Sequence, residues 1–593
     1  MTSWSILTRS ADTFAHAIQS RAKLLQGCAT ATLALSIIVG ASTAMSQQSD
    51  TRRADAGSSD DPREIVLFPF DDYSIPFSYG LDYNLIQGHR EGVVLRPSKT
   101  GPDAQSVINH GSVLKVGDQL RMWYPCLGDK DPSIDPSTKL PVGEGLRASV
   151  RGEAHFRVCY ATSTDGINWK KPALGLTKYG ANKHNNLVDF PLGERVINLI
   201  VIEDAEDPDP SRRFKMAFQS PKYGSRIGLA TSHDGLHWKE FSANPVTKWM
   251  VEIHGLTKFN GAYYVNGHGG SPRRGPTTLL PRRMVTYMSY DFEHWVDASA
   301  LSFDRFPGSE LPTPFTRGHA GEQIHTGASI WNRGNVLIGF YGQWHGDLGD
   351  DRRFVTMDLG MVTSHDAIHF KEPIPDFKII PFNEEAEIRT NLIFDRLGGA
   401  GGGSMFGAAL TQGQGWMNMG DHTLYWYSVW SQGRVRLATW ERDRLGYFAV
   451  PREIRERQGN PAARRGLQEG KDGLLHLPPR AKDLESPWAK VSPHFISMPI
   501  TLDGSEQKVF VNAGGLSADT YIKVEILDEK FNILPGYSKE DCAPIMESGF
   551  RQAAVWGGKT TIANPNGPIR VRVSIEGKMP EDVRIYATYV ATK

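Results

Sequence analysis

Three short stretches put histidines and carboxylates at matching points of the chain: Asn109-His110-Gly111-Ser112, Glu252-Ile253-His254-Gly255 and Glu322-Gln323-Ile324-His325. Two carboxyl groups, one keeping its proton and one that has lost it, can serve as acid and base on a single bond. By residue type, Glu252 and Glu322 supply such a pair. His110, His254 and His325, if brought together, can shuttle protons, hydrogen-bond hydroxyl groups, hold a metal or serve the structure alone. No His-Glu-x-x-His or paired-Cys motif supports zinc, and no cofactor is implied.

What must position these residues is an internal repeat. Ser163-Thr164-Asp165-Gly166-Ile167-Asn168-Trp169 returns as Ser232-His233-Asp234-Gly235-Leu236-His237-Trp238, as Ser289-Tyr290-Asp291-Phe292-Glu293-His294-Trp295 and as Ser364-His365-Asp366-Ala367-Ile368-His369-Phe370. In each copy Asp can bond the backbone two residues on and the aromatic covers the base of a hairpin, while Gly166 and Gly235 supply a positive φ in the first two. Strand-like segments precede each turn: Val196–Ile202 and Phe214–Gln219, Gly255–Phe259 and Ala262–Asn266, Ala328–Trp331 and Val336–Tyr341. Four strands every 55–75 residues describe propeller blades. A weaker fifth unit at 404–450 carries Leu424–Val429, Val435–Trp440 and a degenerate turn around Asp443.

The fold class read from this pattern is all-β: a five-bladed β-propeller over 105–452, a linker over 453–488 and a C-terminal β-sandwich over 489–593. Residues 47–104 form an extension leading into the propeller. If the Ser-x-Asp turns join third and outer strands, the innermost strands begin on the opposite face, beside the loops that follow each second strand. The turn Asp residues are then structural. Aligning blades on their hairpins puts Asn109-His110, Glu252, Glu322-Gln323 and, in blade five, Trp416-Met417-Asn418 at the starts of innermost strands.

The blade-four loop Gly342-Gln343-Trp344-His345-Gly346-Asp347 offers Trp344 as a stacking platform or as a Trp packed under its own loop. Arg273, Arg274, Arg282, Arg283, Arg352 and Arg353 leave an anionic ligand open. Asp347, Asp350 and Asp351 beside them favour plain solvated loop charge.

Composition narrows the classes. The 593 residues carry 66 Lys+Arg against 66 Asp+Glu, which argues against a nucleic-acid binder working by bulk charge. Trp, Tyr and Phe number 14, 19 and 26 beside 60 Gly and 36 Pro, the chemistry of short strands and turns. Residues 1–46 read as a signal peptide: basic residues, then the apolar run Ala29–Gly40, too short for a bilayer, then small residues. The expectation is a secreted or periplasmic protein with no membrane span after cleavage. Cys126 and Cys159 fall on neighbouring strands, as a disulfide or as two buried thiols.

Five blades, Ser-x-Asp-Gly-x-x-Trp turns and an appended sandwich together resemble the five-bladed propeller glycosidases of glycoside hydrolase families 32, 43 and 68, above all the family-32-like proteins. The resemblance spans nearly all of the mature chain. It implies a saccharide in the central funnel and three carboxylates on the innermost strands of the first three blades. Glu252 stands where the acid would be, followed by Tyr263-Tyr264, with Glu322 or His110 assisting. Asn109, Asp189, His254, Gln323, His325, Trp344, His345 and Asn418 are the implied saccharide contacts. The chain departs from the pattern in blade one, where Asn109-His110 replace the Asp. Blade two offers only Asp189, Glu194 and Asp204. The implied function is an exported hydrolase of a poly- or oligosaccharide. A carbohydrate-binding propeller without catalysis and a His-centred lyase or other sugar-processing enzyme remain beside it.

Overall fold

A computed structural model describes residues 64–592 apart from 105, 129–155, 192–195, 270–281, 306–320, 347–354, 383–408, 430–432, 452–467, 470–474, 477–490, 502–505 and 564–566. Residues 1–46, expected to be a signal peptide, together with Glu194, the Arg pairs at 273–274 and 352–353 and the Asp residues at 347, 350 and 351, lie outside the described residues.

The fold is a five-bladed propeller with a β-sandwich. Blade one comprises Ser112–Val116, Gln119–Leu127 and Arg157–Ser163; blade two, Leu199–Glu203, Phe214–Ser220, Arg226–Ser232 and Lys239–Glu240; blade three, Val251–Phe259, Ala262–Gly269, Met284–Ser289 and Ala300–Phe303. Blade four is Gly321–Asn332, Leu337–Gly346 and Thr356–Ser364. Blade five is Leu410–Met419, His422–Val429 and Arg434–Glu441, with His89–Leu95 as its outer strand. Branched and aromatic residues on the blade faces interleave with those of the next blade, as in the cluster of Ile200, Ile227 and Leu229 with Ile253, Val265 and Tyr287.

The repeated turns are built by their own residues. Asp165 Oδ1 accepts from the N–H groups of Ile167 and Asn168 at 2.9 and 2.7 Å, and Asp234, Asp291 and Asp366 do the same. The left-handed position is Gly166 and Gly235 in two copies and Phe292 and Ala367 in the others, all near φ +60 to +80°. Cys126 and Cys159 form a disulfide between adjacent strands of blade one.

Strands from 64–85 enter the sandwich. One sheet runs Gly549–Ala553, Gln507–Gly514, Arg584–Thr592, Gly446–Ala449 and Asp82–Leu85, with Glu64–Leu67 also on Arg584–Thr592. The facing sheet runs Phe77–Tyr79, His494–Ile496, Ile569–Gly577 and Thr520–Asp528. Among the described residues no helix is long and apolar enough to cross a membrane.

Propeller and sandwich meet on a buried ionic knot. Arg333, from the first hairpin of blade four, clasps Asp443, which also accepts from Asn418 Nδ2 at 2.8 Å and from the Tyr589 hydroxyl at 3.0 Å. Glu64 lies beside Arg333 and pairs with Arg551. Burial pushes the Asp443 carboxyl up, but Arg333 and its other donors outweigh this and hold it below the usual carboxylate range. Its stabilisation is therefore present above the unfolded carboxylate pKa and lost as pH falls through the folded value. We expect Asp443→Ala to lower stability by about 3–5 kcal/mol by removing the carboxylate that directly clasps the buried Arg333. Urea denaturation at pH 7 measures it, and the gap to wild type closes in acid.

Candidate active site

The site grows from a defect shared by two innermost strands. Both enter the ring from the face opposite the Ser-x-Asp turns, and both break register at the same height, between Ile253 and Gly255 in blade three and between His325 and Ala328 in blade four. Such bulges re-aim side chains. In blade four the bulge puts Thr326, a β-branched residue, at φ +63°, where such residues are outliers. Gly327 follows at φ +155°, and a Cβ there would sit 2.6 Å from Asn266 Oδ1. The bulge is held from outside: Gln412 Nε2 donates to the carbonyls of His325 and Gly327 at 2.8 and 2.7 Å and to Thr326 Oγ1 at 2.7 Å.

Just before each bulge stands a glutamate facing a histidine across its hairpin. Glu252 is the register partner of His268, with Oε2 3.2 Å from Nε2. Glu322 is the register partner of His345, with Oε2 2.7 Å from Nδ1. Arg305 Nη2 reaches the same Glu322 oxygen at 2.7 Å. His345 Nε2 lies 2.9 Å from Oδ2 of the fully buried Asp358. Burial pushes the Glu322 carboxyl up, yet His345 and Arg305 outweigh it and hold the group below its usual range. Burial likewise opposes charge on His345, and the bonds to Asp358 and Glu322 reverse the balance, raising it.

Four imidazoles line the axis. The His110 and His254 rings meet edge to face with centroids 4.8 Å apart, and those of His268 and His325 lie 6.1 Å apart. All four are buried, and burial lowers every one, His110 to about 4. His110 Nδ1 meets Asn198 Oδ1 at 2.8 Å, and His254 Nε2 donates to the Gln412 carbonyl. His110, offered by the sequence as an assistant to Glu252, is thus buried beneath the site with an imidazole that burial keeps neutral. Below these rings Val113, Leu256, Ile330, Gln414 and Trp416 close the axis around a cavity of about 40 Å³. Among the described residues no group of His, Cys, Asp and Glu is placed to hold a metal ion.

Other expectations change. Trp344 is no platform: it is 1% exposed, with the Arg282 guanidinium 4.1 Å above its ring and His325 stacked at 5.9 Å. Gln323 is buried and accepts from Arg282 N at 3.0 Å. Asn109 is buried and donates to the Trp426 carbonyl at 2.6 Å, a structural tie to blade five. Asn418 lies at the far end of its strand in the Asp443 knot, because the strand starts at Leu410 and breaks register between Gln412 and Trp416. Asp189 is exposed on the chain between blades one and two, its backbone paired beside the turn at His237. Asp204 is bound by Lys215, Lys258 and Tyr263, an ionic cluster at the opposite ends of the strands.

Sequence reasoning missed His268, Arg305, Asp358 and Gln412. His268 is the next-to-last residue of the second strand of blade three. The Asn260-Gly261 hairpin turn was the available signal: counting outward from it brings His268 to within one residue of Glu252, and the bulge supplies the remainder.

No family model and no curated protein matches the chain. Among solved structures it is similar to a family-130 member described among mannoside phosphorylases that include glycoside hydrolases targeting β-1,2-mannosidic linkages in Candida mannan, at 15% identity over 60% of this chain and 94% of that one, TM-score 0.36. It is similar at 15% identity to a glycosyl hydrolase from Bacteroides ovatus, over 61% and 95%, TM-score 0.36. A β-1,2-mannobiose phosphorylase from Listeria innocua matches at 13% identity over 59% and 94%, TM-score 0.35. These values do not place the chain in families 32, 43 or 68.

The burial of Trp344 has a measurable consequence. Trp344→Ala should cost about 3–5 kcal/mol of folding stability, read from a urea midpoint. A stacking platform would instead lose ligand affinity with the midpoint unchanged.

Proposed function

We propose that the protein, exported and bridged at Cys126–Cys159, cleaves a glycosidic bond in a poly- or oligosaccharide bound over the Glu252 and Glu322 hairpins. One observation carries this reading: two glutamates at equivalent points of adjacent blades have imidazole partners with opposite kinds of group behind them, the Asp358 carboxylate behind His345 and the Thr326 N–H behind His268. Glu322 lies between Arg305 and His345, whose proton Asp358 and Glu322 itself help to hold, and this favours the ionised form of a nucleophile or base. Glu252 meets a buried imidazole kept neutral, which offers a single proton and no charge. Unlike carboxyl groups across one bond are what glycoside cleavage requires. Glu252 is then the acid, giving its proton to the leaving oxygen, and Glu322 stabilises or attacks the sugar carbon or activates a water. The disulfide supports export, since such bridges persist in oxidising compartments.

A second reading is favoured by blade one. At the axis it presents Asn109 and His110, both buried and neutral partners of backbone and amide, in place of the carboxylate the resemblance implies. A propeller that binds a glycan without cleaving it fits that substitution.

Reducing-sugar release from a panel of neutral and sulfated glycans separates the two. Wild-type protein should release sugar from one of them, with Glu252→Gln and Glu322→Gln each slower by about 10²–10⁴-fold and binding retained. If wild type releases nothing while one glycan binds all three proteins, recognition replaces cleavage.

A further inference from the structure

Glu252 and Glu322 occupy one position in two copies of the same hairpin, and so do His268 and His345. The copies part company in what stands behind each ring. Behind His268 is a donor: the Thr326 N–H, presented by the strained bulge, reaches Nδ1 at 2.9 Å. A nitrogen that accepts carries no proton, so the ring's one proton is on Nε2, toward Glu252. Behind His345 is an acceptor, the Asp358 carboxylate on Nε2, while Glu322 takes Nδ1. With acceptors at both nitrogens, the ring makes both bonds only as the imidazolium.

His345 is also the middle of a longer series. Lys378, Asp358, His345, Glu322, Arg305 and Asp376 follow one another with alternating sign, at separations of 2.8, 2.9, 2.7, 2.7 and 2.6 Å. These groups come from all three strands of blade four and the two connections beside it, and they are the charges that face the ring. Two members are anchors out of solvent. Asp358 is fully buried and also accepts from the Phe382 N–H at 2.6 Å; the Arg305 side chain is 2% exposed and also donates to the carbonyls of Gln323 and Trp344. Glu322, held between them, is half exposed. Both anchoring bonds end on its Oε2, and among the described residues Oε1 takes part in neither.

We propose that Asp358, acting through His345, is the positioning residue that holds Glu322 as a fixed anion, while the Thr326 N–H holds the twin imidazole neutral beside Glu252. The group behind the histidine thus assigns opposite roles to two Glu–His pairs at equivalent register positions. This rests on the two-carboxylate reading of the site for its purpose, but its charge states are measurable without any substrate.

The experiment is NMR of the full chain with ¹⁵N-labelled histidine and ¹³C-carboxyl-labelled glutamate, assigned with His345→Gln, His268→Gln and Glu322→Gln. In wild type at pH 7, His345 should show two protonated nitrogens and His268 only Nε2. Asp358→Asn should lower the His345 midpoint by about one to three pH units and raise that of Glu322, leaving His268 unmoved. Should Asp358→Asn not fold, Lys378→Met at the half-exposed end of the series gives the second test: removing a cation raises the His345 midpoint. A neutral His345 in wild type overturns the proposal, as does a midpoint indifferent to both substitutions. On any glycan the wild type cleaves, Asp358→Asn should move the acid limb of the pH–rate profile upward with KM retained. Absence of cleavage on every glycan would sink the functional reading, while the charge states measured by NMR would still decide the role of Asp358.

Discussion

A ring of blades must satisfy the inner edges of its innermost strands, and everything at the axis of this protein follows from how it does so. Each such strand has one edge in its own blade and another facing the hub, where unpaired N–H and C=O groups would be costly. Blades one and five solve this by direct pairing of Ser112 and Val113 with Gln414 and Gly415. Elsewhere, side-chain amides imitate a strand. Gln414 accepts from Leu256 N at 3.0 Å and donates to the Leu256 carbonyl at 2.7 Å, reaching Ile330 N at 3.3 Å with the same oxygen. Asn266 does the same for Ala328, accepting from its N–H at 2.8 Å and donating to its carbonyl at 3.1 Å. These amides fix how far the blades stand apart, and therefore where the hairpins above them begin.

The bulges sit directly on this amide layer. Asn266 takes both backbone groups of Ala328, so the extra residues of blade four are pushed toward the funnel, and Gln412 pins them there. Strain at Thr326 is tolerated because five bonds over-determine the segment, and the N–H it turns out of line is the one that sets the tautomer of His268. A packing solution at the hub thereby becomes an electronic setting at the site above it.

The fold was legible because its signal is local. A Ser-x-Asp turn closes on its own side chains, and four copies announce the blades whatever their surroundings. The two glutamates were legible for the same reason, as equivalent points upstream of those turns. Blade five was misplaced at its start because its innermost strand carries Gly413 and Gly415 and breaks register, which erases the alternation a strand shows. Asn418 consequently belongs to the knot at the other end. Asp358 was hidden by distance: it is 36 residues from Glu322 and meets it only through a third strand. Arg305 and Lys378 come from connections with no periodicity at all.

The axial histidines show how a motif can be conspicuous for a reason other than its chemistry. Sequence alone invites a proton shuttle in His110, His254 and His325. Packed at the hub, they lose their charge to burial, and the Arg282 guanidinium over Trp344 adds repulsion against protonating His325 and His268. They form a neutral floor. Arg282 stands over Trp344, whereas Arg305 and His345 contact Glu322 directly. A floor of cations would have held both glutamates ionised alike; a neutral floor lets the groups behind each imidazole decide, and so allows two copies of one hairpin to differ.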